Sequence, residues 1–153
     1  MTRWFALVLS GLAVIAVIAG AFVLAPARQV SDDRVAEGPP QSFRGCVACH
    51  VIRSPDGVLI AGNNGRTGPN LYGIFGAPAA SVAGFRYRSG IEKVGEEGLV
   101  WDHETLVAYL QDPTGFLREQ LDDPNVRSAM VFRVRDPGEA EELAAYLAEF
   151  PAR

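Results

Sequence analysis

The two cysteines of the chain lie three positions apart, and the second is followed directly by one of its two histidines. In a helical turn, positions i, i+3 and i+4 face the same way. The thiols of Cys46 and Cys49 and the imidazole of His50 are therefore expected to converge on one object. Thiols and imidazoles bind metals and form covalent bonds, so this cluster is the first candidate for chemistry.

Three objects fit such a cluster. A structural zinc ion needs four ligands, and only His103 and carboxylates remain to complete a set. A redox-active dithiol usually lies on a β-α-β fold, and the sequence shows no such alternation. The spacing C-x-x-C-H is the signature of covalent c-type haem attachment. This third interpretation is favoured, and thioether bonds to both cysteines would leave no thiol for a disulfide.

An iron ion bound by His50 has a second axial position to fill. The candidates are Met130, His103 and Lys93, or the site is open. Met130 lies in a stretch without periodicity and is expected in a loop, although methionines also fill gaps in cores. His103 follows a predicted helix cap, Asp102, and is expected to face solvent. Met130 is the favoured ligand, and methionine–histidine ligation favours electron transfer at a raised reduction potential.

The N-terminal region contains an uncharged apolar run, Trp4 to Ala25. A helix of this length crosses a hydrocarbon core of about 30 Å, and the flanking charges favour export of the C-terminal domain. A cleaved signal peptide is the alternative, because Ala25-Pro26-Ala27 resembles a cleavage site, although the apolar run is longer than is usual for a signal. The expected organisation is an uncleaved transmembrane anchor (1–27), a short linker (28–41) and a domain (42–153).

The part of the chain after Arg28 is acidic. Of the 14 basic residues, Arg3 and Arg28 precede it, which leaves 12 against all 18 acidic residues and a net charge of −6. A nucleic-acid partner is therefore not expected.

Helix signals are few but clear. Residues 42–50 suit a short helix, and residues 51–100 are rich in turn-forming glycine, proline and asparagine. One helix is expected to begin at the cap Asp102 and to end at Pro113. A second is expected to begin at the cap Asp136. The pattern predicts a mostly α domain with long loops.

From Cys46 onward the chain resembles the class I c-type cytochromes of the short mitochondrial and bacterial type, and the resemblance covers roughly residues 38–150. It rests on ordered motifs: CVACH, TGPNLYGIFG (67–76), GFRY (84–87), WDHETLVAYLQDP (101–113), Met130-Val-Phe and EAEELAAYLAEF (139–150). The resemblance implies a cytochrome c fold, with three to five short helices and long loops around one covalent haem. A single transmembrane helix would precede this fold, as in membrane-tethered members.

The resemblance also implies roles for single residues. Pro69 would offer its carbonyl oxygen to His50, and Leu71 would pack on the haem. Tyr87 and Trp101 would donate hydrogen bonds to a propionate, Ser128 would place a hydroxyl near one, and Tyr109 would lie near the Met130 sulfur. The implied cofactor-binding set is Cys46, Cys49, His50, Pro69, Leu71, Tyr87, Trp101, Tyr109, Ser128 and Met130, with His50 and Met130 as the iron ligands.

The sequence departs from the family pattern at three places. Residues 51–66 are longer than the usual connection and are expected to form a small hairpin near the haem edge. N-V-R-S-A replaces the usual Pro-Gly-Thr-Lys before Met130. Ala77 stands where an arginine that binds a propionate is common.

The implied function is electron transfer, not enzymatic catalysis, and no small-molecule substrate is expected. The expected partners are a cytochrome bc complex and a haem–copper oxidase or photosynthetic reaction centre. The protein would span the bacterial cytoplasmic membrane once, with its haem domain on the periplasmic side. A positive patch is predicted near the haem edge, formed by Arg44, Arg53, Arg127 and Arg133. The alternatives are a fixed haem subunit of a respiratory complex, which the short linker favours, and a haem sensor or peroxidase with an open iron site.

Overall fold

Short helices and a two-stranded hairpin make up the fold in the computed structural model, which describes residues 38–152. Along the chain come a 3-10 helix (Gln41–Gly45), β1 (Val51–Arg53), β2 (Leu59–Gly62), α1 (Ser89–Glu96), α2 (His103–Gln111), α3 (Pro113–Leu121) and α4 (Pro137–Leu147). The predicted anchor, 1–27, and most of the linker lie outside the described residues. Within residues 38–152, no helix has both the length and the apolar character needed to cross a membrane.

The predicted helix over residues 42–50 is shorter than expected. The 3-10 helix ends at Gly45, and residues 46–49 form turns. The last turn still has a helix-like hydrogen bond, from the N–H of His50 to the carbonyl of Cys46 at 2.9 Å.

The helices predicted from the caps Asp102 and Asp136 are confirmed. The Asp102 carboxylate accepts a hydrogen bond from the Thr105 N–H at 2.8 Å, and the Thr105 hydroxyl accepts one from the Asp102 N–H at 2.9 Å. This reciprocal pair is a capping box. Asp136 accepts from the Glu139 N–H at 3.0 Å, and Pro137 occupies the first turn, where its missing N–H is not needed.

The hairpin expected within residues 51–66 is present. Strands β1 and β2 pair antiparallel, with an irregularity between Ile52 and Arg53. The turn between the strands places Gly57 at φ +89°, which glycine adopts without steric cost. The Leu71 N–H donates to the Val51 carbonyl at 2.8 Å, so the hairpin fixes the chain that comes after Pro69.

The core forms where the C-terminal helix meets the other elements. Helix α4 packs on α2 and on the 3-10 helix, and α3 packs on both α1 and α2. Tyr146 of α4 lies edge-on to Phe43, with ring centroids 5.7 Å apart. The largest of the fully buried side chains include Phe43, Ile52, Val94, Leu117 and Leu143.

Candidate cofactor site

A cavity of about 580 Å³ lies beside the turn that carries both cysteines. Most of its lining is apolar. Nine of the ten predicted site residues line it: Cys46, Cys49, His50, Pro69, Leu71, Tyr87, Trp101, Tyr109 and Met130. A smaller cavity of about 240 Å³, lined by residues that include Val94 and Gln120, contains none of the ten.

Both cysteines are free thiols. Cys46 is buried and Cys49 is partly buried. Burial, together with the neighbouring Cys49, raises the pKa of Cys46 to about 11. Among residues 38–152, no group of three or more His, Cys, Asp or Glu residues is placed to hold a metal ion. The described residues therefore do not provide the ligand set that the zinc alternative requires.

The imidazole of His50 is fixed in orientation. Its Nδ1 lies 2.9 Å from the carbonyl oxygen of Pro69. A carbonyl only accepts hydrogen bonds, so Nδ1 carries the proton and the Nε2 lone pair stays free for a metal. Burial lowers the pKa of His50, and the Pro69 hydrogen bond opposes this effect. The neutral ring is the form that binds iron.

Gly68 lies directly against the imidazole. A Cβ atom added at this position would overlap the ring, at 2.5 Å from Nδ1 and 2.6 Å from Nε2. The Gly68 N–H donates to the Cys49 carbonyl at 2.9 Å, so the backbone cannot simply move away. Only glycine leaves room here for the observed ring position.

The segment before Met130 is tied to the helices through one hydroxyl. The Tyr109 and Ser128 oxygens lie 2.9 Å apart, and the Met130 N–H donates to the Ser128 oxygen at 3.1 Å. The Ser128 N–H donates to the Thr114 hydroxyl at 3.2 Å. Ser128, the tenth predicted residue, is not among the residues that line the cavity. Its hydroxyl holds Met130 in place.

The other candidate ligands lie elsewhere. His103 is exposed at the start of α2, where its Nε2 lies 2.5 Å from the Glu141 carboxylate. Lys93 lies in α1 and is not part of the cavity lining. Of the three side chains considered from the sequence, Met130 alone lines the cavity.

Aromatic side chains supply both apolar walls and hydrogen-bond donors. Trp101 packs against Tyr109 and Phe116, with centroids 5.1 and 6.0 Å away. The Tyr87 hydroxyl accepts from the Val82 N–H at 3.3 Å and retains its own proton to donate. Burial raises the pKa of both Tyr87 and Tyr109, which keeps them protonated. The donors expected to face a propionate are thus placed at the cavity.

Among residues 38–152, one member of the predicted positive patch, Arg133, is paired with an anion, while Arg53 makes a hydrogen bond that leaves its charge in place. Arg53 donates through Nη1 to the Gly57 carbonyl at 2.7 Å, and Arg133 pairs with Asp112 at 2.9 Å. Within the described chain, the guanidinium groups of the other two predicted members make no hydrogen bond or ion pair; they are Arg44 and Arg127.

An apolar edge lies beside Met130. Val131 is 89% exposed and Phe132 is 43% exposed. The Phe132 ring contacts Gly45 so closely that a Cβ added there would overlap it. This edge joins the methionine segment to the turn that carries the cysteines.

Several lining residues were not predicted. Arg86 and Arg88 flank Tyr87 and line the cavity together with Phe85 and Ile91. The sequence gives little indication that these residues line the cavity, because a loop has no periodic pattern that shows which side chains face inward. Phe85 and Arg86 lie within the GFRY motif and Arg88 follows it directly, and this position was the one available indication.

The arrangement fits a covalently attached iron porphyrin. The walls are apolar, two unpaired thiols lie on one turn, an oriented imidazole has a free nitrogen, and a thioether lies in the same cavity.

Known proteins match both the sequence and the fold. The chain is 46% identical over 108 residues to cytochrome c2 of Rhodovulum adriaticum. The aligned region covers 71% of this chain and 86% of that protein. The crystal structure of cytochrome c2 from Rhodobacter sphaeroides matches at 40% identity with a TM-score of 0.71, covering 76% of this chain and 98% of the other. Ferric cytochrome c-550 from Paracoccus versutus matches at 36% identity with a TM-score of 0.67, covering 77% and 95%. No protein-family model matches the chain.

Proposed function

The chain belongs to the class I c-type cytochromes, in the group of cytochromes c2 and c-550, and on that basis we propose that it is a membrane-tethered carrier of single electrons. Proteins of this family are electron carriers and not enzymes. The observation that carries the proposal is the convergence of Cys46, Cys49, His50 and Met130 on one mostly apolar cavity.

The cofactor is one haem c, held through thioether bonds to Cys46 and Cys49. When bound, it supplies an iron centre that gains or loses one electron. His50 would hold the iron through Nε2, because Nδ1 faces the Pro69 carbonyl oxygen. We assign Met130, which lines the same cavity, as the second protein ligand that would hold the iron. Methionine–histidine ligation raises the reduction potential and closes the iron to substrates, which suits transfer and not catalysis.

The apolar edge formed by Val131 and Phe132 is the proposed docking point for redox partners. Exposed apolar side chains at the centre of a contact favour binding, and charges around it steer the encounter. Arg44 supplies positive charge there in an otherwise acidic protein. The proposed donor is a cytochrome bc complex, and the proposed acceptor is a haem–copper oxidase or a photosynthetic reaction centre.

The proposed tether is the uncharged run Trp4 to Ala25, which precedes the polar linker 28–41. A flexible linker of this length typically spans about 20 Å, and about 45–50 Å when fully extended. The haem domain would therefore stay close to the periplasmic face of the cytoplasmic membrane. A fixed subunit of a respiratory complex is the second candidate, because so short a linker limits travel.

Membrane washing tests the tether. The haem-stained polypeptide should remain with membranes after high-salt and alkaline washing. A variant with residues 1–27 replaced by a cleavable export signal should be released. Release of the full-length chain into the periplasmic extract would reject the anchor.

Electron transfer is tested with the full-length protein in liposomes. Addition of quinol and a cytochrome bc complex should reduce its haem, and an added oxidase should reoxidise it. Stoichiometric co-purification with one complex in mild detergent would favour the fixed subunit. Failure of either half-reaction with active complexes, or ready binding of carbon monoxide by the ferrous protein, would contradict the carrier assignment.

The Met130→Leu variant tests the ligand assignment. It should lose the weak far-red absorption of the ferric protein that methionine ligation gives, and its reduction potential should fall. The matched control, Val131→Ala, changes the exposed neighbour and should retain both properties. Retention of the band in the Met130→Leu variant would reject the assignment.

A further inference from the structure

Three arginines line a cavity that is otherwise mostly apolar: Arg86, Arg88 and Arg127. In the described part of the chain, none of their guanidinium groups makes a hydrogen bond or an ion pair with protein. Each residue is also exposed to solvent. The positive charge therefore lies at the mouth of the cavity, without an anion from the described chain to balance it.

These arginines come from two segments in direct contact. Arg88 is the last residue before α1, and Arg86 precedes it by two positions. A Cβ built on Gly90, in the first turn of α1, would lie 3.0 Å from the Val126 side chain and 3.7 Å from the Arg127 carbonyl oxygen. The segment before α1 and the segment before Met130 thus meet, and both bring positive charge to the cavity.

Neutral donors are available at the same cavity. Tyr87 lies between Arg86 and Arg88 and has a hydroxyl proton to donate. The Trp101 indole N–H has no hydrogen-bond partner in the described chain, although buried indoles generally have one. Ala77 is buried and contributes no charge; its carbonyl accepts from the Trp101 backbone N–H at 2.9 Å. Position 77 therefore cannot supply a cation.

We propose that Arg86, Arg88 and Arg127 bind the carboxylates of the two haem propionates and replace the cation that Ala77 lacks. This inference rests on the proposed haem c. Guanidinium groups match carboxylates in geometry, and charge-assisted hydrogen bonds between them are stronger than neutral ones. The three arginines are positioning residues, because they act on the acid groups and not on the iron.

The pairing has a consequence for the reduction potential. Positive charge near the iron disfavours the ferric state, which carries one more positive charge than the ferrous state. Removing one of the three guanidinium charges should lower the midpoint potential. The shift will be modest because solvent screens these exposed side chains. It should nevertheless exceed the effect of removing a charge away from the cavity.

The test uses purified holoprotein with Arg88→Gln, Arg88→Lys, Arg86→Gln or Arg127→Gln. Arg135→Gln is the matched control, since Arg135 is exposed and does not line the cavity. Redox titration measures the midpoint potential, and redox difference infrared spectra report the propionate carboxylates.

The glutamine variants at the cavity should lower the potential more than Arg135→Gln and shift the carboxylate bands. Arg88→Lys should recover most of the potential. Equal potentials in the cavity and control variants, with unchanged bands, would overturn the proposal and assign these arginines to partner docking. A wild-type protein without haem would instead refute the proposed function, so the two failures are distinct. Arg86→Gln and Arg127→Gln provide the answer if Arg88→Gln does not mature.

Discussion

The hydroxyl oxygens of Tyr109 and Ser128 lie 2.9 Å apart, and the Ser128 oxygen also accepts the N–H of Met130. Tyr109 belongs to α2 and Ser128 to the segment that replaces the usual family sequence before the methionine. A single hydroxyl thus connects a helix to the proposed ligand loop. This connection explains how an unusual loop sequence still brings Met130 to the cavity.

We expect Ser128→Ala to loosen the methionine loop. It removes two hydrogen bonds, each worth about 1 kcal/mol. The far-red band of the ferric protein should disappear at a lower denaturant concentration than the loss of helix, which absorbance and circular dichroism measure in parallel. Ser128→Thr keeps a hydroxyl and is the matched control. Equal denaturation profiles for the two variants would show that the hydroxyl does not hold the loop.

We expect Gly68→Ala to disturb haem ligation through the imidazole. The added methyl group would overlap the His50 ring, and overpacking of this kind costs about 1–3 kcal/mol. The yield of mature holoprotein and its free energy of unfolding should both fall. Gly138→Ala is the control, because its one neighbour within 4 Å is a carboxylate oxygen of Asp136 at 3.0 Å, and a shift of a few tenths of an ångström relieves that contact without breaking the cap of α4. A Gly68→Ala protein as stable as the control would mean that the ring position is not fixed.

The sequence predicted helices α2 and α4 because each begins with an aspartate cap that needs only local contacts. Helix α3 was missed because Pro113 was taken as the end of α2. It is in fact the first residue of α3, and the Asp112 carboxylate accepts from the Gly115 N–H at 3.0 Å. Proline tolerates the first helical turn, so the same Asp-Pro signal that marks α4 was present here.

Helix α1 was missed for a different reason. It contains Gly90 and Gly95, and each glycine costs a helix about 1 kcal/mol relative to alanine. A Cβ on Gly95 would overlap the Ala79 carbonyl, and one on Gly90 would press on Val126. The glycines allow close packing, which outweighs their poor local propensity. Such long-range contacts cannot be read from one sequence.

The sequence predicted those residues of the candidate site that belong to recognisable motifs. CVACH indicated the cluster of two thiols and an imidazole, the family resemblance implied the contact between Pro69 and His50, and elimination among few candidates favoured Met130. The inward direction of Arg86 and Arg88 depends on how residues 81–88 fold around the cavity, and no periodic pattern encodes that path.

We expect Asp102→Ala to lower the free energy of unfolding at neutral pH by about 1 kcal/mol, because it removes the cap of α2. The hydrogen bonds from the Thr105 backbone and side chain lower the pKa of Asp102. A depressed pKa in the folded state means that the stabilisation is present above the unfolded pKa of about 3.9 and is lost as the pH falls through the folded value.

Denaturant titrations of the holoprotein across this pH range measure the effect. The difference between wild type and Asp102→Ala should narrow as the pH drops below about 4. Glu119→Ala removes an exposed carboxylate that caps no helix and should change little. A wild-type advantage that stays constant down to the lowest pH would contradict capping by the ionised carboxylate.

We expect Arg44→Glu to slow electron transfer with a redox partner at low ionic strength. Arg44 precedes Gly45, which the exposed Phe132 ring contacts, so the reversed charge lies near the proposed docking edge. Stopped-flow rates should fall several-fold at low salt and approach the wild-type rate at high salt. Lys93→Glu makes the same charge change on α1. Equal slowing by both reversals would indicate an effect of net charge alone.

The covalent bond between one haem and the paired cysteines is tested most directly by intact-mass spectrometry of the purified, exported protein after extraction with acidified acetone. We predict a pigmented chain whose mass exceeds that of the polypeptide by one haem, while a Cys46→Ser, Cys49→Ser double variant retains no pigment after extraction. A wild-type chain that is colourless or releases its pigment into the solvent would contradict the account.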